Sequence, residues 1–322
     1  MFQTLPLPGR PDPAEADAEA APPDTWERCV RRGNFAAAWR HSDATLRARA
    51  GETCWHLPRH EQWLWDGRSL VGQRVLVHCY HGLGDTVQFI RYAPLLRALA
   101  REVTVWTQPA LVSLVRGVAG VDRTLALHDG APGIERDADV EIMELPHVFR
   151  STLGTLPANV PYLRAKPAAR VGDGRKYRVG VVWQAGGWDG RRSVPLETLA
   201  PLAEIPGIEL HALQRGDALC EWPSTLGPVS GSDNAEVAAG VLRALDLVLT
   251  VDSFPAHLAG ALGCPVWTLL HATPDWRWMD ARDDSPWYPT MRLFRQERAG
   301  DWTSVIARVT EELRRVSGAR PR

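Results

Sequence analysis

The segment His81-Gly82-Leu83-Gly84-Asp85-Thr86-Val87 follows a run with strand character and precedes one with helical periodicity. Two glycines at such a junction let the backbone approach a ligand closely. Asp85 falls in the first helical turn. An acid there can be a simple helix cap, or a general base that takes a proton from a hydroxyl. Gln88 and Arg91 stand one and two turns on, placed to contact an incoming substrate or to tune the carboxylate. The segment is not a dinucleotide fingerprint. Val87 takes the place of the third glycine, and Gln108 stands where an acid should end the next strand, which disfavours a nicotinamide dehydrogenase.

A second candidate lies at Val251-Asp252-Ser253-Phe254-Pro255-Ala256-His257. A β-rich run ends at Asp252, and a helix with proline in its first turn begins just after. Free N–H groups and the helix dipole make such a terminus an anion site. Ser253 can cap the helix or touch phosphate, and His257, one turn in, can donate to a phosphate oxygen. The small residues Ala259, Gly260 and Ala261 permit close packing of the helix. A Ser-His-Asp hydrolase triad is disfavoured, because all three residues sit in one junction and no G-x-S-x-G elbow is present.

Two further loops complete the set. Trp183-Gln184 ends a strand, a glycine-rich loop follows, and Arg191-Arg192 precedes a helix starting near Pro195. Arginine suits the neutralisation of a leaving diphosphate. Thr273-Pro274-Asp275-Trp276-Arg277-Trp278 follows the strand that ends at Leu270 and reads as a loop over the same cleft. The chain has 14 tryptophans, and most large aromatics simply pack. Trp276 and Trp278, inside this charged loop, are read instead as a flat platform for a sugar or a base.

These residues need a scaffold of strands whose carboxyl ends converge. From Arg74 onward strands and helices alternate, which implies parallel pairing and right-handed crossovers. Strands are expected at Arg74–Tyr80, Val103–Trp106, Arg123–Leu127 and Val140–Met143. After a Pro- and Gly-rich linker at 156–174 a second series follows, at Arg178–Trp183, Glu209–Leu213, Leu247–Val251, Val266–Leu270 and Met291–Phe294. A final helix, 301–316, carries Trp302, Val305, Val309 and Leu313 at helical spacing. Two Rossmann-like halves would leave a cleft between the carboxyl ends of their sheets, where open α/β sheets bind ligands. Before them, 1–23 has the composition of a disordered tail. A short helical pair capped near Asp24-Thr25 and broken at Gly33-Asn34 resembles one degenerate tetratricopeptide unit. Such a unit cannot bury its face alone and must dock on the next domain. The expected division is 1–23 tail, 24–68 helical lead-in, 69–165 first Rossmann-like domain, 166–316 second, and 317–322 tail.

Composition narrows the function classes. Lys plus Arg is 37 against 38 for Asp plus Glu, so the basic excess of a general nucleic-acid binder is missing. The scattered cysteines have no metal-ligand spacing. With no apolar run of membrane-spanning length and no signal-peptide pattern, the chain reads as cytoplasmic.

Taken together, Gly84-Asp85 with its helix to Pro94, Trp183-Gln184, Arg192 three residues before Pro195, Asp252-Ser253 with His257-Leu258-Ala259, and Thr273-Pro274-Asp275 resemble glycosyltransferase family 9, the ADP-heptose lipopolysaccharide heptosyltransferases. The likeness covers roughly residues 70–316 and is strongest to members that follow tetratricopeptide repeats. It implies the GT-B fold and an inverting, metal-independent transfer from a nucleotide-activated sugar, with heptose as the candidate sugar and no cofactor. By resemblance Asp85 is the base and Arg192 holds the diphosphate, where the family commonly has Lys. Gly82, Gly84, Gln88, Arg91, Gln184, Asp252, Ser253, His257, Asp275 and Trp276 would bind substrate. Asp137-Ala138-Asp139 is then a chance DxD. The resemblance implies a nucleotide-sugar partner and a glycan, lipid-linked or protein acceptor. Two other readings remain: a sugar-nucleotide epimerase, needing a second acid/base near Asp85 such as His81, Glu144 or His147, and a non-catalytic nucleotide-sugar binding module.

Overall fold

The computed structural model describes residues 24–169, 171–172, 175–187 and 189–318. The expected tail at 1–23 and the end of the chain beyond 318 lie outside the described residues. Nine strands form two wholly parallel sheets. The first contains β1 (Arg74–His78), β2 (Glu102–Thr107), β3 (Arg123–Ala126) and β4 (Ala138–Glu141), in the order β3-β2-β1-β4. The second contains β5 (Tyr177–Val182), β6 (Ile208–Ala212), β7 (Leu247–Val251), β8 (Val266–Leu270) and β9 (Met291–Arg295), in the order β6-β5-β7-β8-β9. The two-sheet architecture expected from the sequence is therefore present. The central strands β7 and β8 of the second sheet are near-continuous apolar runs, buried at every position, because both faces of the sheet are covered there.

Chain order reverses between β1 and β4 in the first sheet and between β5 and β7 in the second. Register pairs His78 with Glu141 across the first reversal and Val182 with Thr250 across the second. Loops leaving the carboxyl ends of strands at such points diverge and leave a crevice. They are the loops that carry Gly82–Asp85, Gln184–Arg192 and Asp252–Ser253.

The helices differ from expectation in instructive places. The long helix after β1 is broken into Leu83–Phe89, a 3-10 turn at Ile90–Tyr92, and Ala93–Leu99. Pro94 lacks an N–H and disfavours helical backbone before it, so the chain restarts its helix with proline near the new terminus. Near Pro195 the expected helix is a 3-10 turn, Leu196–Leu199, followed by one turn at Ala200–Ala203. A helix the sequence reading did not place, Ala235–Ala244, lies between β6 and β7, capped by the Asn234 side chain on the N–H groups of Glu236 and Val237. The final helix, Trp302–Gly318, buries the expected Trp302, Val305, Val309 and Leu313.

The lead-in forms the helices Trp26–Arg31 and Phe35–Ala48, capped by Thr25 and Asn34. It docks on the first half, as expected. Trp39 Nε1 donates to the Ser151 carbonyl at 2.7 Å, and Asp43 meets His147 and Arg150. It also reaches the second half, where Arg31 pairs with Asp280 and donates to the Pro274 carbonyl. The segment expected to be a linker is likewise tied down: the N–H groups of Tyr162 and Leu163 both reach the Ala261 carbonyl. No helix among the described residues is long and apolar enough to cross a membrane.

Candidate active site

A cavity of about 320 Å³ opens between the two sheets, where both chain reversals meet. Gly82, Leu83, Gly84 and Asp85 line it from the first half. Gly186, Arg192, Asp252, Ser253, Phe254 and His257 line it from the second, with Asp275 and Arg277 from the loop after β8. Eight of the residues singled out from the sequence thus share one cavity.

Gly84 permits this closeness. A Cβ built there would lie 2.8 Å from His257 Cδ2, so only glycine lets the helix Leu83–Phe89 pack against the helix Phe254–Ala261. Asp85 is both a helix cap and a cavity residue. Its Oδ2 accepts the Gly82 N–H at 2.9 Å, and its Oδ1 is held by Arg277 Nη2.

Arg277 was not among the residues picked from the sequence, yet it organises the site. It is buried, and its Nε donates to Gln88 Oε1 at 2.9 Å and its Nη1 to Asp275 Oδ1 at 2.9 Å. Asp275 also caps the turn that carries Arg277, accepting its N–H. One guanidinium from the second half therefore fixes two acids and an amide, and crosses to the first half to reach Asp85 and Gln88. Gln88 is fully buried behind the cavity and serves Arg277.

Arg91 does not face the cavity either. It lies buried between halves, donating to the Trp287 carbonyl and to Tyr162 Oη, with its guanidinium over the Tyr162 and Tyr288 rings. Gln184 is exposed, held through its backbone by Gln214, and lines no part of the cavity. The expected platform of Trp276 and Trp278 is packing. Trp276 sits against Trp26, Phe89 and Trp287, while Trp278 is fully buried and stacks on the His257 ring at 5.3 Å.

The two arginines of the glycine-rich loop separate. Arg191 is exposed and paired with Asp189. Arg192 is buried, and donates to the Asp252 carbonyl at 3.0 Å and the Gly186 carbonyl at 3.3 Å while lining the cavity. Beside it, the helix Phe254–Ala261 begins at Ser253 with no side-chain cap. Ser253 Oγ instead turns back to the Val251 carbonyl at 3.2 Å. Pro255 has no N–H and the Ala256 N–H donates to the Ser253 carbonyl at 3.0 Å, so the Phe254 N–H is the one in the first turn left for a ligand, next to a buried cation.

His257 behaves differently from the expected phosphate donor. Burial, then the charges of Arg277, Arg91 and Arg192, hold its imidazole well below the ordinary range, so it is neutral. Its Nδ1 lies 2.9 Å from Tyr288 Oη. Tyr288 in turn meets Tyr162, whose own proton is committed to the Val87 carbonyl at 2.9 Å. Tyr288 must therefore donate to Tyr162 and accept from His257 Nδ1–H. That leaves Nε2 of this cavity residue as a lone-pair acceptor. It suits a ligand hydroxyl, not a phosphate oxygen.

The Asp252 carboxyl is pushed up to about 6 by burial, with Asp275 adding to the rise and Trp278, Arg192 and Arg277 opposing it. Between the ordinary 3.8 and about 6 the native protein keeps a proton that the unfolded chain has released. Stability therefore falls as pH rises through that window, by ~3 kcal/mol in all. Asp252→Asn has no such penalty. Its melting temperature relative to the parent should be higher at pH 7.5 than at pH 4.5; an equal difference at both would contradict this placement.

The candidates for a second acid/base lie elsewhere. His81 is bonded to Glu141 at 3.0 Å. Glu144, pushed up to about 7 by burial, accepts the N–H groups of Glu141, Trp65 and Leu64, and His147 is bonded to Asp43. None of the three lines the cavity. The DxD acids are also remote and occupied, Asp137 by Arg74 and Asp139 by His78 and Arg136.

Comparison with known proteins bears on the fold. No family model matches the chain. Protein FlbA of Caulobacter vibrioides is 27% identical over an alignment covering 78% of this chain and 48% of that protein, so the chain spans about half the length of the curated relative it matches. Among solved structures, a glycosyl transferase family 9 protein from Veillonella parvula superposes with a TM-score of 0.58 at 11% identity, covering 78% of this chain and 97% of the other. The ADP-heptose lps heptosyltransferase II of E. coli gives 0.54 at 14% identity, covering 76% and 98%. The iron-containing dodecameric glycosyltransferase TibC of enterotoxigenic E. coli gives 0.53 at 13%, covering 74% and 67%. The chain has the GT-B fold of these proteins.

Proposed function

We propose that this protein is an inverting, metal-independent glycosyltransferase that moves a sugar from a nucleoside-diphosphate sugar to an acceptor hydroxyl. One juxtaposition carries the reading: Asp85 from the first half faces Arg192 and the open helix terminus at Ser253–Phe254 across a single cavity. An acceptor oxygen attacks the anomeric carbon, its proton passes to Asp85, and the bond to the diphosphate breaks on the far side. Charge builds on the departing phosphates, where Arg192 and the Phe254 N–H at the helix start stabilise it. As Asp85 gains the proton, the charge of Arg277 is left to Asp275, which already shares it. Asp252 and the Nε2 lone pair of His257 suit hydroxyls of the donor sugar.

The fold shared with an ADP-heptose heptosyltransferase favours an adenine nucleotide carrying a heptose as the donor. The acceptor can be a glycan, a lipopolysaccharide or another lipid-linked sugar, or a protein.

The test is incubation with a panel of nucleoside-diphosphate sugars, with and without glycan acceptors, in excess chelator. Sugar transfer with release of nucleoside diphosphate is expected only when acceptor is present. An epimerised donor formed without acceptor would instead establish an epimerase. Tight donor binding with no turnover on any acceptor would leave a binding module.

A further inference from the structure

The loop that supplies Arg277 is gripped by the lead-in helix Trp26–Arg31. Arg31 Nη2 donates to the Pro274 carbonyl, and Arg31 Nη1 pairs with Asp280 Oδ1 at 3.1 Å. The Asp280 N–H donates back to the Arg31 carbonyl at 3.0 Å. Arg31 therefore holds both ends of the stretch 274–280, with Arg277 between them. At the other end of the helix, Trp26 packs edge-on against Trp276 at 5.2 Å, and the Arg277 guanidinium lies over that same Trp276 ring at 4.5 Å.

The backbone of this stretch needs such a grip. Met279 and Ala281, on either side of Asp280, have φ of +56° and +51°. Left-handed backbone is costly for a residue with a side chain, and persists where its surroundings impose it. Among the described residues, Arg150, with φ of +47°, is the one other non-glycine residue in that region. The lead-in holds it too, since Arg150 Nη1 donates to Asp43 Oδ2 at 2.8 Å. The lead-in thus bears on strained backbone in both halves.

The candidate base stands next in this chain of contacts. Arg277 holds Asp85 Oδ1, and its bonds to Gln88 and Asp275 fix the plane of the guanidinium. A shift of the stretch 274–280 would draw that guanidinium off Asp85 and leave the carboxylate to the Gly82 N–H. An error of about 1 Å in placing a reacting group costs on the order of a hundredfold in rate. The diphosphate side is independent of this grip, because Arg192 is aimed by the carbonyls of Asp252 and Gly186. We propose that Arg31, in a helix outside both sheets, is a positioning residue: it seats the stretch 274–280 and, through Arg277, aims Asp85 into the cavity. Its effect on turnover rests on the glycosyltransferase reading; its grip on Arg277 does not.

The full chain should be compared with Arg31→Ala, Arg31→Lys and Arg28→Ala by hydrogen–deuterium exchange without ligand, by sugar-transfer kinetics and by ADP titration. Arg28→Ala is the control, since it removes an equal charge from the same helix, at a side chain paired with Asp24, and should match the parent. In Arg31→Ala, exchange should quicken about fivefold or more at the amides of 275–281 and 83–89. Its kcat should fall about tenfold or more while ADP affinity stays within about twofold of the parent. Lysine keeps a charged donor and should recover part of kcat. A merely structural role would lower kcat, ADP affinity and melting temperature together, and would overturn the proposal; so would faster exchange with unchanged kcat. Should Arg31→Ala fail to fold, Asp280→Ala is the milder variant, because that side chain is 57% exposed, and it should show the same split at smaller size. Quickened exchange in a protein whose parent transfers no sugar would uphold the grip and sink the transferase reading. Unchanged exchange beside normal transfer would do the reverse.

Discussion

Asp85→Asn is expected to lower sugar transfer by about a hundred- to ten-thousand-fold while leaving ADP affinity within a few-fold of the parent. Asparagine is nearly isosteric and keeps an oxygen for the Gly82 N–H, so the start of the helix Leu83–Phe89 survives. The charge that Arg277 Nη2 meets is lost, but Asp275 and Gln88 still hold that guanidinium. The cavity should therefore keep its shape and lose its proton acceptor. Steady-state kinetics and calorimetric ADP titration separate the two effects. A parallel fall in turnover and affinity would assign Asp85 to holding the cleft together through Arg277 rather than to proton transfer.

Arg192→Ala is expected to weaken ADP binding by about 10- to 100-fold, and to lower kcat/KM by a further factor as charge on the leaving diphosphate goes unanswered. Arg192 is buried, and its two carbonyl contacts aim the guanidinium at the cavity beside the uncapped helix. Alanine leaves those carbonyls without their donor, at a cost of ~1–3 kcal/mol, so Arg192→Lys is the needed companion. Lysine restores the charge without the planar fork, and should recover part of the affinity. Unchanged ADP affinity in the alanine variant would remove the diphosphate from this side of the cavity.

Much of this arrangement is local and therefore legible in the sequence. β7 and β8 fall residue for residue where apolar β-rich runs stand between turn signals. The junctions at Gly82–Asp85 and Asp252–His257 were visible because a strand, a short loop and a helix start are all written in adjacent residues. Pro94 signals a helix break in the same way, once its missing N–H is counted. Arg277 was not legible. Its weight comes from Asp85 and Gln88, 192 and 189 positions away, and no spacing rule links such partners. The hydrogen-bonding sense of His257 is likewise set by Tyr288, Tyr162 and Val87, from three separate segments. Trp276 and Trp278 show the same limit from the other side. A charged loop suggested a platform, but only the fold reveals Trp26, Phe89 and His257 already covering their faces.

The central claim is that a nucleoside diphosphate sits where the second sheet's chain reversal meets Asp85. A crystal structure of the protein with ADP tests it most directly. The diphosphate should lie within hydrogen-bonding distance of the Phe254 N–H and of Arg192, with Asp85 across the cavity and free of the nucleotide. ADP seated on the Gly82–Asp85 loop away from Arg192 would contradict it.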